Sequence, residues 1–477
     1  MKKLIILVTL TLFNSAHSQK LIIEEKYEKD NIPVDFGFVD HPDRLIIEKG
    51  KNIFASTNEN TNNIYSYNTI GEKAAVLENV DLMYCTYSNT GNTVKATDYS
   101  SLRGIYEYNF FSNGKKSSTF ERSNYNSFSD NQIIGQHFND KYLIFLSNEK
   151  GKDKLDLKKN DVYVEIIEIF TNKTRRLKID NINIERLTSS DNINYSGELG
   201  FTIRLIGNDS FEIVTKSIAK DYKSTILYRT LYDFNGNLTE EFSYEIKIKD
   251  NFLTYSNSGA TYVIVGKFDN TLTVFANDLA INNFIIDNEK NVYVYGLLTK
   301  KSKSMDSYNE VSGFYVFKFD KNGNKIWELS KEIDDKKDFN RKIHLYRLQV
   351  ALSDFGNELI FNVGTNYYKE YFHYFILDKK DGIILKQNKV EFKEKKLTPR
   401  DFYNSFIPEV YKLPSNENIL TNKYGLILYD FNTDIKNYVD SLNKDNKLNL
   451  KFLFSSEGIW LIESDNEKYY KVLFFEK

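Results

Sequence analysis

The chain has 477 residues with 64 basic and 66 acidic side chains, a formal net charge of -2, and this balance excludes the broad basic face of a nucleic-acid binder. Only 5 prolines and 22 glycines exclude a collagen-like or low-complexity chain. One cysteine, Cys85, rules out an intrachain disulfide and a cysteine-based metal site, and the length calls for two or three domains or one large repeat architecture.

At the N-terminus, "MKKLIILVTLTLFNSAHSQK" reads as a secretory signal peptide over 1–18. Lys2 and Lys3 are the basic start, Leu4 to Phe13 the apolar run, and Ala16 and Ser18 the small residues before cleavage at Gln19. The apolar run is far shorter than the ~20 residues that span a bilayer. No cysteine follows it, so a lipoprotein is not expected. The mature chain is expected to be periplasmic or secreted, without a membrane span.

From Gln19 onward two kinds of turn alternate. The first kind is a polar Gly/Asn/Asp turn before an apolar strand: "EKGKNIFAST" from Glu48, "SNTGNTVKAT" from Ser88, "FNDKYLIFLS" from Phe138, "IGNDSFEIVT" from Ile206, "DNEKNVYVYG" from Asp287, "SDFGNELIFNVG" from Ser353, "SNENILTN" from Ser415 and "SSEGIWLIES" from Ser455. The second kind follows an aromatic strand: "IYSYNTIGEKAAVL", "IYEYNFFSNGKKSSTF", "VEIIEIFTNKTRRLKI", "LYDFNGNLTEEF", "FKFDKNGNKIWEL", "YFILDKKDGIILKQ" and "LILYDFNTDIKNYV". Asn-Gly and Asp-Gly between alternating runs are hairpin signals. Each unit therefore reads as a four-stranded antiparallel meander, repeated along the chain.

An all-β propeller explains this better than a sandwich or a lipid-facing barrel. Residues 19–477 are expected to form one propeller domain, with eight blades and seven as the alternative. The last unit, "NLKFLFSSEGIWLIESDNEKYYKVLFFEK", has three strands, and the spare strand Leu21–Tyr27 would complete it and close the ring. The long stretch between Asn208 and Glu289 leaves room for an insertion or a degenerate blade. "YNSFIPEVYKL" is the best helical candidate.

"DNEKNVYVYG" followed by "GFYVFKFDKNGNKIW" resembles the repeat of secreted bacterial β-propellers, a D-x-x-G-N-x-Y-V-x-G turn and strand before a K-F-D-x-x-G-N-x-x-W hairpin. The match covers Asp287 to Trp327, with "SDFGNELIFNVG" as a partial one. The resemblance implies the fold. It does not choose between the binders, scaffolds and enzymes built on it.

The D-x-N-G-N turns at Asp320 and Asp233 lack the alternating ligands of an EF-type loop and read as Asx-turns, with Gly supplying positive φ. His41, His137, His344 and His373 form no local pair, and structural roles are expected for them. Cys85, in "DLMYCTYSN", reads as a buried inert thiol. Carboxylate pairs such as Asp334 and Asp335 cannot be placed about 5–10 Å apart across a glycosidic bond from sequence alone, and no nucleophile elbow or phosphate loop is present. The charge runs from Asn148 and Lys331 read as solvated loops.

Aromatics are 15% of the chain, with 34 Tyr and 35 Phe against 2 Trp. Strand preference explains most of them, as does an AT-rich gene; a stacking surface is the functional alternative. The expected function is an exported binding or scaffold module that contacts a protein or glycan as a monomer, without cofactor or metal. Tyr367, Tyr368, Tyr371 and His373 in "NYYKEYFHYF" are the candidate ligand-binding residues. A glycan hydrolase or lyase with acid/base groups at a central channel is the rival, and a subunit of a cell-envelope assembly the third reading.

Overall fold

The computed structural model describes residues 19–26, 32–40, 43–50, 61–81, 85–88, 90–100, 105–123, 131–149, 162–179, 199–218, 223–250, 252–253, 284–299, 308–309, 311–333, 343–344, 348–365, 371–391, 409–412, 418–421, 438, 449–454, 458–464 and 469–476. Apart from Tyr438, which is helical, these residues form strands and the turns between them. The all-β expectation therefore holds.

Strand β1 (Gln19–Lys26) comes first in the chain but belongs to the last sheet. The first sheet is β2 (Ile32–Asp40), β3 (Asp43–Gly50), β4 (Thr61–Asn68) and β5 (Lys73–Asp81). The second is β6 (Cys85–Tyr87), β7 (Thr93–Ser100), β8 (Ile105–Ser112) and β9 (Lys115–Ser123). The third is β10 (Asn131–Phe138), β11 (Tyr142–Glu149), β12 (Val162–Glu168) and β13 (Thr174–Lys178). The fourth is β14 (Leu199–Ile206), β15 (Ser210–Ile218), β16 (Ser224–Asp233) and β17 (Leu238–Lys247). Each is an antiparallel meander with its strands in chain order, so every pairing is local.

In the fifth sheet, β18 (Phe252–Leu253) and β19 (Phe284–Ile286) both pair with β20 (Val292–Thr299). A small ribbon joins β21 (Tyr308–Asn309) to a later strand, while β22 (Val311–Phe319) and β23 (Lys325–Glu332) complete the fifth sheet. The ribbon's partner is β24 (Ile343–His344). The sixth sheet is β25 (Leu348–Phe355), β26 (Glu358–Thr365), β27 (Tyr371–Asp378) and β28 (Ile384–Glu391). A hairpin of β29 (Glu409–Lys412) and β30 (Asn418–Thr421) follows. The last sheet has the order β1, β33 (Tyr469–Glu476), β32 (Gly458–Ser464), β31 (Asn449–Phe454). The N-terminal strand thus runs antiparallel to the C-terminal one, Gln19 opposite Phe475 and Lys26 opposite Tyr469.

Middle strands are buried on both faces, so their sequences read as continuous apolar runs rather than alternations. Leu143, Ile144, Phe145 and Leu146 are all fully buried. Fourth strands differ: β13 and most of β17 face solvent. The buried faces pack sheet on sheet. Ile46 and Leu77 of the first sheet meet Val94 and Phe111 of the second. Tyr108 and Phe110 of the second meet Phe138 and Phe145 of the third. Ile144 and Val164 meet Ile203 and Phe211 of the fourth, and Val214 and Tyr244 meet Val292 and Phe317 of the fifth. Tyr295 and Phe314 of the fifth pack against Phe361 and Phe375 of the sixth, with the rings of Phe314 and Phe361 stacked at 4.2 Å. β30 then lies against both β25 and β31. Each such aromatic or aliphatic side chain contributes roughly 1.5–3 kcal/mol by leaving water.

A second tie repeats at the turn between third and fourth strands, which rests on the fourth strand of the preceding sheet. Gly114 lies against Ala75 of β5, Gly236 against Leu177 of β13, Gly323 against Ser243 of β17 and Gly382 against Trp327 of β23. Asn172, at φ 55°, takes the glycine's place in the third sheet and donates to the Thr119 carbonyl of β9 at 3.2 Å. In the first sheet Gly71 rests on the carbonyl of Ile22 in β1. β1 therefore stands to the first sheet as a fourth strand stands to its successor.

Gly382 has the least room of these turn glycines: its φ is +76°, and a Cβ there would meet Trp327 at 2.6 Å. Gly382→Ala is expected to lose about 3 kcal/mol from left-handed strain and overpacking, read as a lower urea midpoint; a change within ~0.5 kcal/mol would contradict this contact.

Two readings of the sequence are corrected. Glu48–Gly50, taken as a turn before a strand, is the end of β3 and pairs with Ile64–Asn62. The hairpin lies earlier, at Asp40 opposite Asp43, because Leu45–Ile47 supply the fully buried second strand. In "YNSFIPEVYKL", Glu409–Lys412 is strand β29, its backbone paired with Asn418–Thr421. The long stretch 254–283 and the turn in "LILYDFNTDIKNYV" lie outside the described residues.

Candidate functional site

In a meander the first and third turns fall at the same end. Here they touch: Ile169 N–H donates to Lys141 O at 2.9 Å, Phe234 N–H to Asp209 O at 3.0 Å and Lys379 N–H to Asn357 O at 2.9 Å. Neighbouring sheets also join at this end. Asp140 accepts from the hydroxyls of Ser88 and Thr90, both at 2.6 Å, and Asn139 donates to Gly207 O at 2.8 Å. Tight turns thus gather on one face of the sheets.

The repeated D-x-N-G-N turns satisfy themselves. Asp320 Oδ1 accepts from the backbone N–H of Asn322 and Asn324, both at 2.8 Å, and its Oδ2 accepts from the Asn324 amide at 2.9 Å. Asp233 does the same with Asn235 and Asn237. The Asn324 and Asn237 side-chain hydrogen bonds hold Asp320 and Asp233 below the usual carboxylate value. The Asx-turn expectation holds.

This face also carries the large exposed apolar side chains of the described residues. Ile70 and Phe170 sit in third-turn loops, Leu238, Ile326, Ile383 and Leu385 at or beside the start of a fourth strand, and Leu21 on β1, each at least 43% exposed. Scattered exposed apolar residues need no explanation; a set gathered in or beside the third turns of five sheets does. Charges of both signs flank them: Glu72 and Lys73 beside Ile70, Lys325 and Glu328 beside Ile326, Lys380 and Asp381 beside Ile383, all exposed.

Charges buried in the sheets serve packing. Glu212 of β15 has no exposed surface and pairs with Arg204 of β14 and Arg229 of β16, the latter at 2.7 Å. Arg229 also donates to Tyr244 Oη at 3.2 Å. Burial pushes the Glu212 carboxyl up, but the two guanidiniums outweigh it and hold it below the ordinary value. Glu212→Gln would leave two buried guanidiniums facing a neutral amide. A loss of about 3 kcal/mol is expected, present at neutral pH and shrinking as pH falls through the lowered pKa of the parent; a loss independent of pH would refute the charge argument.

Asp287 accepts from Asn291, from Tyr293 Oη at 3.0 Å and from Lys379, which also binds Asp354 at 2.7 Å across the fifth and sixth sheets. Lys49 of β3 is buried between Glu25 of β1 and the rings of Tyr65 and Tyr470. Lys95 of β7 is buried over the rings of Tyr108 and Phe138, and burial pushes its ammonium down to about 7.

The candidate ligand-binding residues separate. Tyr367 and Tyr368 lie outside the described residues, in the connection between β26 and β27. Tyr371 opens β27 opposite Thr365, at the end away from the tight turns. His373 is buried within β27. His41 lies outside the described residues, and His344 ends β24. His137 Nδ1 accepts the Leu205 N–H at 3.2 Å, joining β10 to β14. Cys85 opens β6. Among the described residues no three His, Cys, Asp or Glu side chains gather as a metal site, and no helix is long and apolar enough to cross a membrane. Sequence reading missed the apolar positions because each is a lone Ile, Leu or Phe at its own offset from the turn, and only its exposure in the fold sets it apart.

No protein-family model and no curated protein matches the chain. Among solved structures it is similar to the β-propeller domain of the Trilobed protease from Pyrococcus furiosus, at 9% identity and TM-score 0.35, covering 93% of this chain and 95% of that one. It is also similar to the WD40 domain of SCAP from fission yeast, at 8% identity and TM-score 0.35, covering 96% and 87%. A third likeness is the acylaminoacyl peptidase of Pyrococcus horikoshii, at 11% identity and TM-score 0.34, covering 92% and 58%. At these scores the likenesses carry no argument about this chain.

Proposed function

We propose that the sheets are blades of an eight-bladed β-propeller, exported after loss of residues 1–18, which binds a protein partner through its tight-turn face. The β29–β30 hairpin is then the described part of the seventh blade, and β1 closes the ring as the fourth strand of the eighth. Two ties of β1 support closure, the ladder to β33 and the rest of Gly71 on Ile22.

One observation carries the binding role: exposed apolar side chains lie in or beside the third turns of the first, third, fourth, fifth and sixth sheets. Their chemistry favours protein over glycan. Sugars stack on aromatic faces, and this set is isoleucine and leucine with one phenylalanine. The mixed charges around it suit the polar rim of a protein interface better than an anionic lipid surface.

The test compares the 19–477 protein with the triple variant Ile70→Glu, Ile326→Glu, Ile383→Glu, at three exposed positions. Both are used to capture proteins from envelope extract and are heated with a glycan panel. A protein retained by the parent and lost with the variant is the expected result. A glycan that raises the melting temperature of both equally, with no protein lost, would sink the protein-partner reading; turnover of that glycan would establish the enzyme in its place.

A further inference from the structure

Three turns of the described chain carry Asn-Gly: Asn113-Gly114, Asn235-Gly236 and Asn322-Gly323. Asn-Gly is the dipeptide at which the next backbone nitrogen most readily attacks a side-chain amide, since glycine puts no Cβ in the way. Whether it does so in a folded chain depends on how firmly both groups are held.

Two of the three are held. Gly236 N–H donates to Asp233 O at 3.0 Å, and Gly323 N–H to Asp320 O at 3.1 Å. Asn235 N–H and Asn322 N–H are bound by Asp233 and Asp320 at 2.8 Å. Asn235 Oδ1 also accepts from Arg175 at 3.2 Å. The third differs. Asn113 and Gly114 form the two-residue loop between β8 and β9, with Ser112 opposite Lys115 and φ values of 51° and 75°. In such a hairpin loop the ladder bond joins the flanking residues, which leaves the glycine N–H outside it. No acceptor for the Gly114 N–H and no partner for the Asn113 amide is present among the described residues, and Asn113 is exposed.

We propose that Asn113 is a self-modification site at which the folded protein deamidates, ahead of Asn235 and Asn322. The Gly114 nitrogen forms a bond to Asn113 Cγ as the Cγ–Nδ2 bond breaks, and the nitrogen's proton leaves with the amide as ammonia. Water then opens the five-membered imide at either carbonyl, giving aspartate or isoaspartate. No other reactant is needed. The new carboxylate arises at the seam between the first and second sheets, where Glu78 Oε2 is 3.5 Å from the place of a Gly114 Cβ. The modification therefore adds a negative charge at the residue next to the glycine that Glu78 faces.

The experiment incubates the 19–477 protein in mildly alkaline buffer, folded and in denaturant, and follows amide-to-acid mass change and isoaspartate at the three asparagines by peptide mapping. The expected result is conversion at Asn113 roughly tenfold faster than at the other two in the folded protein, with similar rates at all three in denaturant. Equal folded rates, earlier conversion at Asn235 or Asn322, or no conversion at Asn113 while the denatured chain reacts would each overturn the proposal. Asn113→Gln is the control and should lose the Asn113 product alone.

Discussion

A chain that lacks residues 19–26 is expected to lose at least ~5 kcal/mol of stability, comparable with the whole margin of an ordinary domain. Three losses combine. The outer edge of β33 is stripped of its ladder partner from Phe475 to Tyr469. Ile23, buried at 6% exposure, leaves the core. The largest loss is at Lys49: its carboxylate partner Glu25 also accepts from Tyr470 Oη at 2.6 Å, and both disappear with β1. Lys49 is buried but Glu25 is about one-third exposed, so losing the carboxylate costs less than the ~3–5 kcal/mol of a fully buried pair. The measurement is a urea midpoint against the 19–477 protein, with a synthetic peptide of Gln19–Lys26 added in excess to the truncated chain. Partial recovery with the peptide would tie the loss to this one strand. A truncated chain as stable as the parent would refute both the latch and the closure built on it.

Lys95→Met is expected to act in the opposite direction and stabilise the protein by roughly 1–3 kcal/mol near and below neutral pH, the burial cost of the charge less the ring contacts that the ammonium gives up. Burial lowers the Lys95 pKa from 10.5 to about 7. The unfolded chain therefore binds the proton more tightly between those values, and parent stability rises with pH across that window. Below about pH 7 both states carry the charge and the cost of burying it is complete. Above about 10.5 neither does, and the cost is gone. The advantage of methionine, similar in length and free of charge, should follow the same course and vanish at high pH. A gain that does not change with pH would mean that shape, not charge, decides the site.

Much of the fold was legible because turn chemistry is local. "SNTGN", "IGNDS" and "DKNGNK" each specify a reversal from a few adjacent residues, and all fall between paired strands. The misplaced turn at Glu48–Gly50 shows the limit: glycine near a polar pair looks like a reversal, but Ile46 and Ile47 had already committed the segment to a buried strand. The spare N-terminal strand could be read because the last unit lacked one. The site was less legible. Which exposed isoleucines share a face depends on aligning sheets in space. His137 looked like one isolated histidine among four, until its contact with Leu205, on a strand of the next sheet, gave it a role.

The pairing of Gln19 with Phe475 has a consequence for the order of events in the cell. β1 is the first of the described strands to leave the ribosome, and its partner β33 is the last. The sheets between them can form one after another as they appear, because each meander is local. The last sheet cannot. Until synthesis ends, β1 waits beside the first sheet with one edge bare, and β31 to β33 have no fourth strand. A chain cut short before β33 therefore keeps the strands of every earlier meander and leaves β1 without its ladder partner.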